Sequence, residues 1–144
     1  MIIRPLRAED RESWEPLWHG YLAFYRAALT PDVTEQTWAA LIDRSSAVHG
    51  LVAEQDDQLV GLAHLILHPT TWATRPTCYL EDTLRRPSRG AAEHRPPTAS
   101  RPSTRSPTSP RAATVYWLTQ EYNAPARSLY DTLARRTSFV VYER

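Results

Sequence analysis

The sequence contains one cysteine and no lysine in 144 residues, and it has no long apolar run. A lone thiol cannot form an internal disulfide, and Cys78 lies inside the apolar run "TCYLED", where a buried structural thiol is expected rather than a reactive one. With no cysteine or third histidine near them, His64 and His68 do not make a metal-ligand set, so neither a metal nor a metal cofactor is expected. No segment approaches the roughly 20 apolar residues needed to cross a bilayer. The start "MIIRPLRAEDRE" lacks the basic n-region and apolar stretch of a secretory leader. A soluble cytoplasmic protein without a membrane partner is therefore expected.

What is present is uneven. All 17 basic residues are arginine, alongside 16 acids and 12 prolines, a composition typical of GC-rich coding DNA. Seven of the arginines fall between Arg85 and Arg111 with a single acid, Glu93, leaving ten arginines against fifteen acids elsewhere. The body of the chain is acidic and one segment is strongly basic. The length fits a single domain over residues 1–144, large enough for one core.

Hydrophobic spacing supplies the elements. After the short apolar start, "ED" at 9–10 is placed to cap a helix and to favour its positive end. Trp14, Leu17, Trp18, Tyr21, Leu22 and Tyr25 recur at steps of three and four, the signature of one helical face. Trp38 and Leu41 predict a shorter second helix before the loop "DRSSAVHG". "LVAE", "QDDQ" and "LVGLAHLILH" predict a strand, a tight turn and a longer strand, and hence an antiparallel hairpin. "TCYLED" and "TVYWLT" predict central strands, and "SFVVYE" a final one. Between the last two, Asn123 is placed to cap a helix carrying Ala126, Leu129, Tyr130 and Leu133, with Pro125 tolerated in its first turn. The fold class is mixed α/β, with an unread segment where a crossover helix would be expected.

"YLED", an interval, and then "VYWLTQEYNAPARSLYDTLARRTSFVVYER" resemble the GNAT superfamily of N-acetyltransferases, and in particular its diamine and basic-protein acetyltransferase branch. The resemblance covers Met1 to Asp82 and Thr114 to Arg144. It implies a mostly antiparallel central sheet flanked by helices, with the fourth strand splayed from the fifth so that acetyl-CoA enters between them. It also implies transfer of acetyl to a primary amine of a small molecule or of a lysine-like group.

The sequence departs from that pattern after Asp82. Members of the family continue with an apolar strand end and an arginine- and glycine-rich loop that opens a helix, whose backbone N–H groups hold the cofactor's pyrophosphate. Here only "SRGAA", with Arg89 and Gly90, is similar to the loop, and prolines at 96, 97, 102, 107 and 110 forbid the helix. Ser138 also stands where glycine is common.

Four readings of Thr83 to Thr114 compete. A disordered insertion would add length, yet the interval is about that of the family's loop plus helix. A linker between domains fails because the second half is too short for a core of its own. A basic arm for nucleic acid has charge without interleaved aromatics, so a nucleic-acid partner is disfavoured. The fourth reading is a compensated shift of reading frame. Thr83 to Pro87 is encoded ACN CTN CGN CGN CCN; read one nucleotide later, permissible third bases spell Leu, Phe, Val, Asp, Pro, the run expected after "LED". On this reading the segment 83–114 is irregular, and a remnant acetyltransferase or pseudoenzyme competes with a working one. A non-catalytic module binding nucleic acid would instead show salt-sensitive binding that is lost when Arg85, Arg86 and Arg89 are neutralised.

Acetyl transfer to an amine needs a base, because an alkylammonium has a pKa of about 10. The resemblance implies Glu81 as that base, acting through water, and Tyr130 as the acid that protonates the departing thiolate. It places Asn123 on the pantetheine arm and the backbone amides of Asp82 and Thr83 at the thioester carbonyl. In a regular strand Asp82 points to the face opposite Glu81 and is the weaker base candidate. Trp18, Tyr21 and Tyr25 are placed to wall a cationic amine site, though such a stripe also reads as core. A homodimer is compatible with all of this.

Overall fold

The computed structural model describes residues 1–85 and 112–144. Five strands form one sheet in the order β1 (Ile2–Pro5), β2 (Val48–Gln55), β3 (Gln58–His68), β4 (Thr77–Arg85) and β5 (Thr114–Trp117). The first four are antiparallel neighbours, whereas β5 runs parallel to β4. This is the mixed, mostly antiparallel α/β sheet that the sequence predicts. A parallel pair requires a crossover, and that crossover, residues 86–111, lies outside the described residues.

The hairpin turn forms at the expected place. Asp56 and Asp57 both adopt positive φ, 51° and 58°, as the two central residues of a type I′ turn must, and aspartate tolerates that conformation better than most side chains. At Gly50 an added Cβ would lie 2.8 Å from the Cβ of Leu6, so glycine is required by close approach rather than by its backbone angles.

Helices α1 (Arg11–Phe24) and α2 (Pro31–Ile42) cover one face of the sheet. The predicted stripe of α1 supplies the core: Trp14, Leu17 and Trp18 are buried with Leu41 of α2 and Leu62 of β3. Fully burying an aliphatic side chain of this kind contributes roughly 1.5–3 kcal/mol. Rings stack along the face, Trp14 on Trp18 at 5.9 Å and Trp18 on Tyr21 at 5.5 Å. The Arg11 guanidinium lies over Trp14 and Trp38. The opposite face has a smaller cluster of Leu65, Cys78 and Ala112, with Cys78 buried as expected.

Three expectations are corrected. Asp10 does not cap α1: its carboxylate accepts two bonds from Arg4, at 2.7 and 2.9 Å, and one from the Arg7 N–H at 2.8 Å. A charged partner and a closer amide outcompete the helix end. "SFVVYE" is not a strand. The chain has no regular structure after α3 (Ala124–Leu133), and Phe139 and Tyr142 are 83% and 92% exposed; strand propensity without a pairing edge gives no ladder. Finally, β4 continues through Thr83 to Arg85, paired with β3 as far as Gly61, so the irregular segment does not begin at Thr83.

Candidate active site

β4 and β5 are joined only from Thr77↔Thr114 to Leu80↔Trp117. Past Leu80 the outer backbone edge of β4 has no strand partner among the described residues, so the two strands part where "LED" continues. Glu81 directly follows Leu80 in β4, and Tyr130 of α3 packs edge-on against Trp117, the residue paired with Leu80, with ring centroids 5.3 Å apart.

The strand is irregular at this point. The ladder pairs His64 with Asp82 but Leu65 with Leu80, so Glu81 is the extra residue of a β-bulge. A bulge shifts the alternation of faces by one residue. Cys78 and Leu80 therefore face the smaller cluster, while Asp82 and Leu84 face α1. The sequence, read as a regular strand, puts Asp82 opposite Glu81; the bulge instead turns the Asp82 carboxylate beneath α1 and leaves Glu81 exposed.

Asp82 is buried and accepts a hydrogen bond of 2.9 Å from His64 Nδ1. His64, fully buried, receives one of 3.0 Å at Nε2 from the indole N–H of Trp14. The Tyr21 hydroxyl lies beside Asp82. Its proton is held well above the usual phenol range, first by burial and then by the neighbouring carboxylate. Glu81 remains open to solvent on one side. The protein around it nevertheless raises its carboxyl above the ordinary glutamate range, first by desolvation and then by the neighbouring Asp82 charge. Tyr130 is likewise raised by burial and, secondarily, by Tyr25. Tyr25 is raised by burial, then by Asp82 and Tyr122. Carboxylates and phenols thus share one electrostatic neighbourhood at the opening.

Beside them is a cleft of about 400 Å³ whose lining includes Trp18, Thr37, Val48, His64, Glu81 and Asp82. A second groove of about 440 Å³ between α1 and α2, bordered by Glu15, His19 and Glu35, lies away from this chemistry.

The predicted site residues take distinct places. Trp18 is a core residue whose indole N–H bonds Thr34 Oγ1 at 3.3 Å, with one edge reaching the cleft. Tyr21 is half-buried beside Asp82, and Tyr25, tilted against Tyr21 with ring centroids 4.9 Å apart, is 51% exposed. Asn123 caps α3, accepting from the Ala126 N–H at 3.3 Å while its amide reaches Thr119 at 3.4 Å. Thr83 sits in β4 opposite Ala63. Arg89 and Gly90 lie outside the described residues. Sequence reasoning missed His64 as part of the site; its alternation with His68 was visible, but a partner fifty residues away was not.

No group of three or more His, Cys, Asp or Glu side chains among the described residues could hold a metal. No helix among them is long and apolar enough to cross a membrane.

No protein-family model matches the chain. It is similar to the D-amino-acid N-acetyltransferase HPA3 of Saccharomyces cerevisiae, 28% identical over 156 aligned residues that cover 100% of this chain and 90% of the relative. Its structure is similar to that of a probable acetyltransferase, with a TM-score of 0.75 at 17% identity, covering 100% of this chain and 97% of the other. It is also similar to AAC(6′)-Iy in complex with the bisubstrate analogue CoA-S-monomethyl-acetylneamine, with a TM-score of 0.74 at 15% identity and coverage of 99% and 96%.

Proposed function

We propose that this chain, which has the fold of the GNAT acetyltransferases and N-acetyltransferases among its relatives, transfers acetyl from acetyl-CoA to a primary amine. The observation that carries the reading is that the pairing of β4 and β5 ends at Leu80↔Trp117, with Glu81 next to Leu80 in sequence and Tyr130 packed on Trp117. The acceptor is a small cationic amine or a lysine-like side chain, as in the diamine and basic-protein branch. Two carboxylates, Glu81 and Asp82, bordering a cleft beside Trp18 support it, and so do a relative named for D-amino acids and a structural neighbour solved with a neamine conjugate.

The unpaired edge of β4 beyond Leu80 suits an amide-bearing arm, which can extend a sheet edge by backbone hydrogen bonds. Asp82 and Thr83 are the residues whose amides would stand there. When bound, acetyl-CoA supplies the activated acetyl thioester. Glu81 takes a proton from the incoming ammonium through water, and its raised pKa makes it a stronger base than an ordinary glutamate. The Tyr130 hydroxyl, whose raised pKa keeps it protonated, gives a proton to the departing thiolate. Asn123 holds the start of α3 and with it Tyr130. Arg89 and Gly90 are the residues that would meet the pyrophosphate.

The same reading treats Thr83 to Thr114 as a compensated shift of frame within a GNAT gene, and sequencing the coding DNA tests that origin. The activity is tested by following free CoA thiol while a panel of diamines, D-amino acids and lysine peptides is supplied with acetyl-CoA. Amine-dependent thiol release supports the function; release no faster than hydrolysis with every acceptor refutes it.

A further inference from the structure

Asp82 and His64 form a buried pair reached from three different elements. Trp14 comes from α1, His64 from the middle of β3, and Asp82 from β4 just beyond the bulge. The direction of the bonds is fixed by chemistry. An indole N–H can only donate, so the ring nitrogen facing Trp14, Nε2 at 3.0 Å, must accept. The imidazole is then neutral and carries its proton on Nδ1, which donates to Asp82 Oδ2 at 2.9 Å. A histidine whose one nitrogen is spoken for has its other nitrogen's role determined. The ring cannot easily rotate, since Trp14 and Trp18 pack on it at 6.0 and 5.2 Å.

This chain of contacts holds one oxygen of Asp82 and leaves the carboxylate within the lining of the cleft that Glu81 and Trp18 also border. Tyr21 stands against the same carboxylate. A neutral histidine satisfies the carboxylate without cancelling its charge, unlike the Arg4 guanidinium that neutralises Asp10. An uncancelled negative charge at the foot of a cleft attracts a cation.

We infer that the Asp82 carboxylate receives the cationic group of the acceptor amine, and that His64, its tautomer set by Trp14, is the positioning residue that holds Asp82 there. The inference uses the acetyltransferase reading only for the identity of the ligand. It divides labour between adjacent acids: Asp82 binds the ammonium, and Glu81, carried outward by the bulge, takes the proton. A diamine should bind and its diol counterpart should not.

The test is equilibrium binding of 1,4-diaminobutane and 1,4-butanediol to the full chain, followed by tryptophan fluorescence, for the unsubstituted protein and for Asp82→Asn, His64→Leu and His64→Asn. Losing a hydrogen bond to a charged group predicts about tenfold or more weaker diamine binding in Asp82→Asn and His64→Leu. His64→Asn, whose amide N–H can replace Nδ1–H, should recover part of it. Melting curves give the folded fraction; if His64→Leu does not fold, Asp82→Asn and His64→Asn still decide. Imidazole ¹⁵N shifts should report the Nδ1–H form of His64, and the Nε2–H form would overturn the assignment. No diamine binding by the unsubstituted chain, or wild-type affinity in folded Asp82→Asn or His64→Leu, would also overturn it. Measuring CoA thiol release in parallel separates the two readings. Asp82-dependent diamine binding without turnover sinks the acetyltransferase alone, whereas turnover with an unchanged amine KM in Asp82→Asn sinks this inference alone.

Discussion

Leu80 and Trp117 are the last pair of residues that hold β4 to β5. Leu80 is followed directly by Glu81, while the ring of Trp117 supports Tyr130. The proposed base is thus the strand neighbour of one member of this last pair, and the proposed acid, on α3, packs against the other.

Glu81→Gln should lower kcat/KM for the amine by about 10²–10⁴-fold, the usual contribution of a positioned base, with little change in melting temperature because the side chain is exposed. Its pKa lies above the ordinary glutamate range, so the base is ionised only above that raised value. In the unsubstituted protein kcat/KM should rise with pH through that value, and the variant should lose this acidic limb. A pH–rate profile of both proteins checks it.

Tyr130→Phe should reduce kcat more than it reduces stability. The phenyl ring keeps its edge contact with Trp117, and only the hydroxyl is lost. Because burial raises the Tyr130 pKa, the fall in rate as the acid ionises should occur above the normal phenol range. Equal kcat in the two proteins would remove Tyr130 from the mechanism.

Asp10 stabilises the fold most clearly above the carboxylate range. Arg4, followed in effect by the Arg7 N–H, holds its carboxyl below the ordinary aspartate value against the cost of burial. A depressed folded-state pKa contributes stability that is present above the unfolded value and lost as pH falls through the folded one. Asp10→Asn should therefore cost about 1.5–3 kcal/mol at neutral pH, the range for hydrogen bonds to a charged group, with Arg4 keeping its second partner Glu54, and should flatten the acid side of the stability curve. Glu81 has the opposite sign. Its raised pKa makes the folded state slightly less stable as pH rises between the unfolded and folded values. Urea melts at several pH values measure both.

Gly50→Ala should destabilise by about 1–3 kcal/mol, the range for overpacking. The new methyl would meet the Leu6 Cβ at 2.8 Å and Leu41 at 3.3 Å. Shortening Leu6 alongside should recover only part of the loss, because the Leu6 Cβ remains. Chemical denaturation of the single and double variants decides it.

Much of this architecture was legible because it is written locally. The α1 stripe, the two-aspartate turn and the cap at Asn123 depend on residues within a few positions of one another, and each stands where the spacing put it. What was not legible depends on partners far along the chain. The bulge at Glu81 arises from register against β3, so a rule of strict alternation sent Asp82 to the wrong face. His64 looked like an isolated strand histidine until Trp14 and Asp82 closed on it from both sides. "SFVVYE" has the composition of a strand but lacks a paired edge. Asp10 found a stronger partner in Arg4 than in the helix it precedes.

The most direct test of the central claim is a titration of the full chain with acetyl-CoA while its melting temperature is followed. Binding to the folded state stabilises it by about 2.7 kcal/mol at a hundredfold excess over Kd, so the account predicts a rise that grows with concentration. A cooperative melt that does not move at any acetyl-CoA concentration would contradict it.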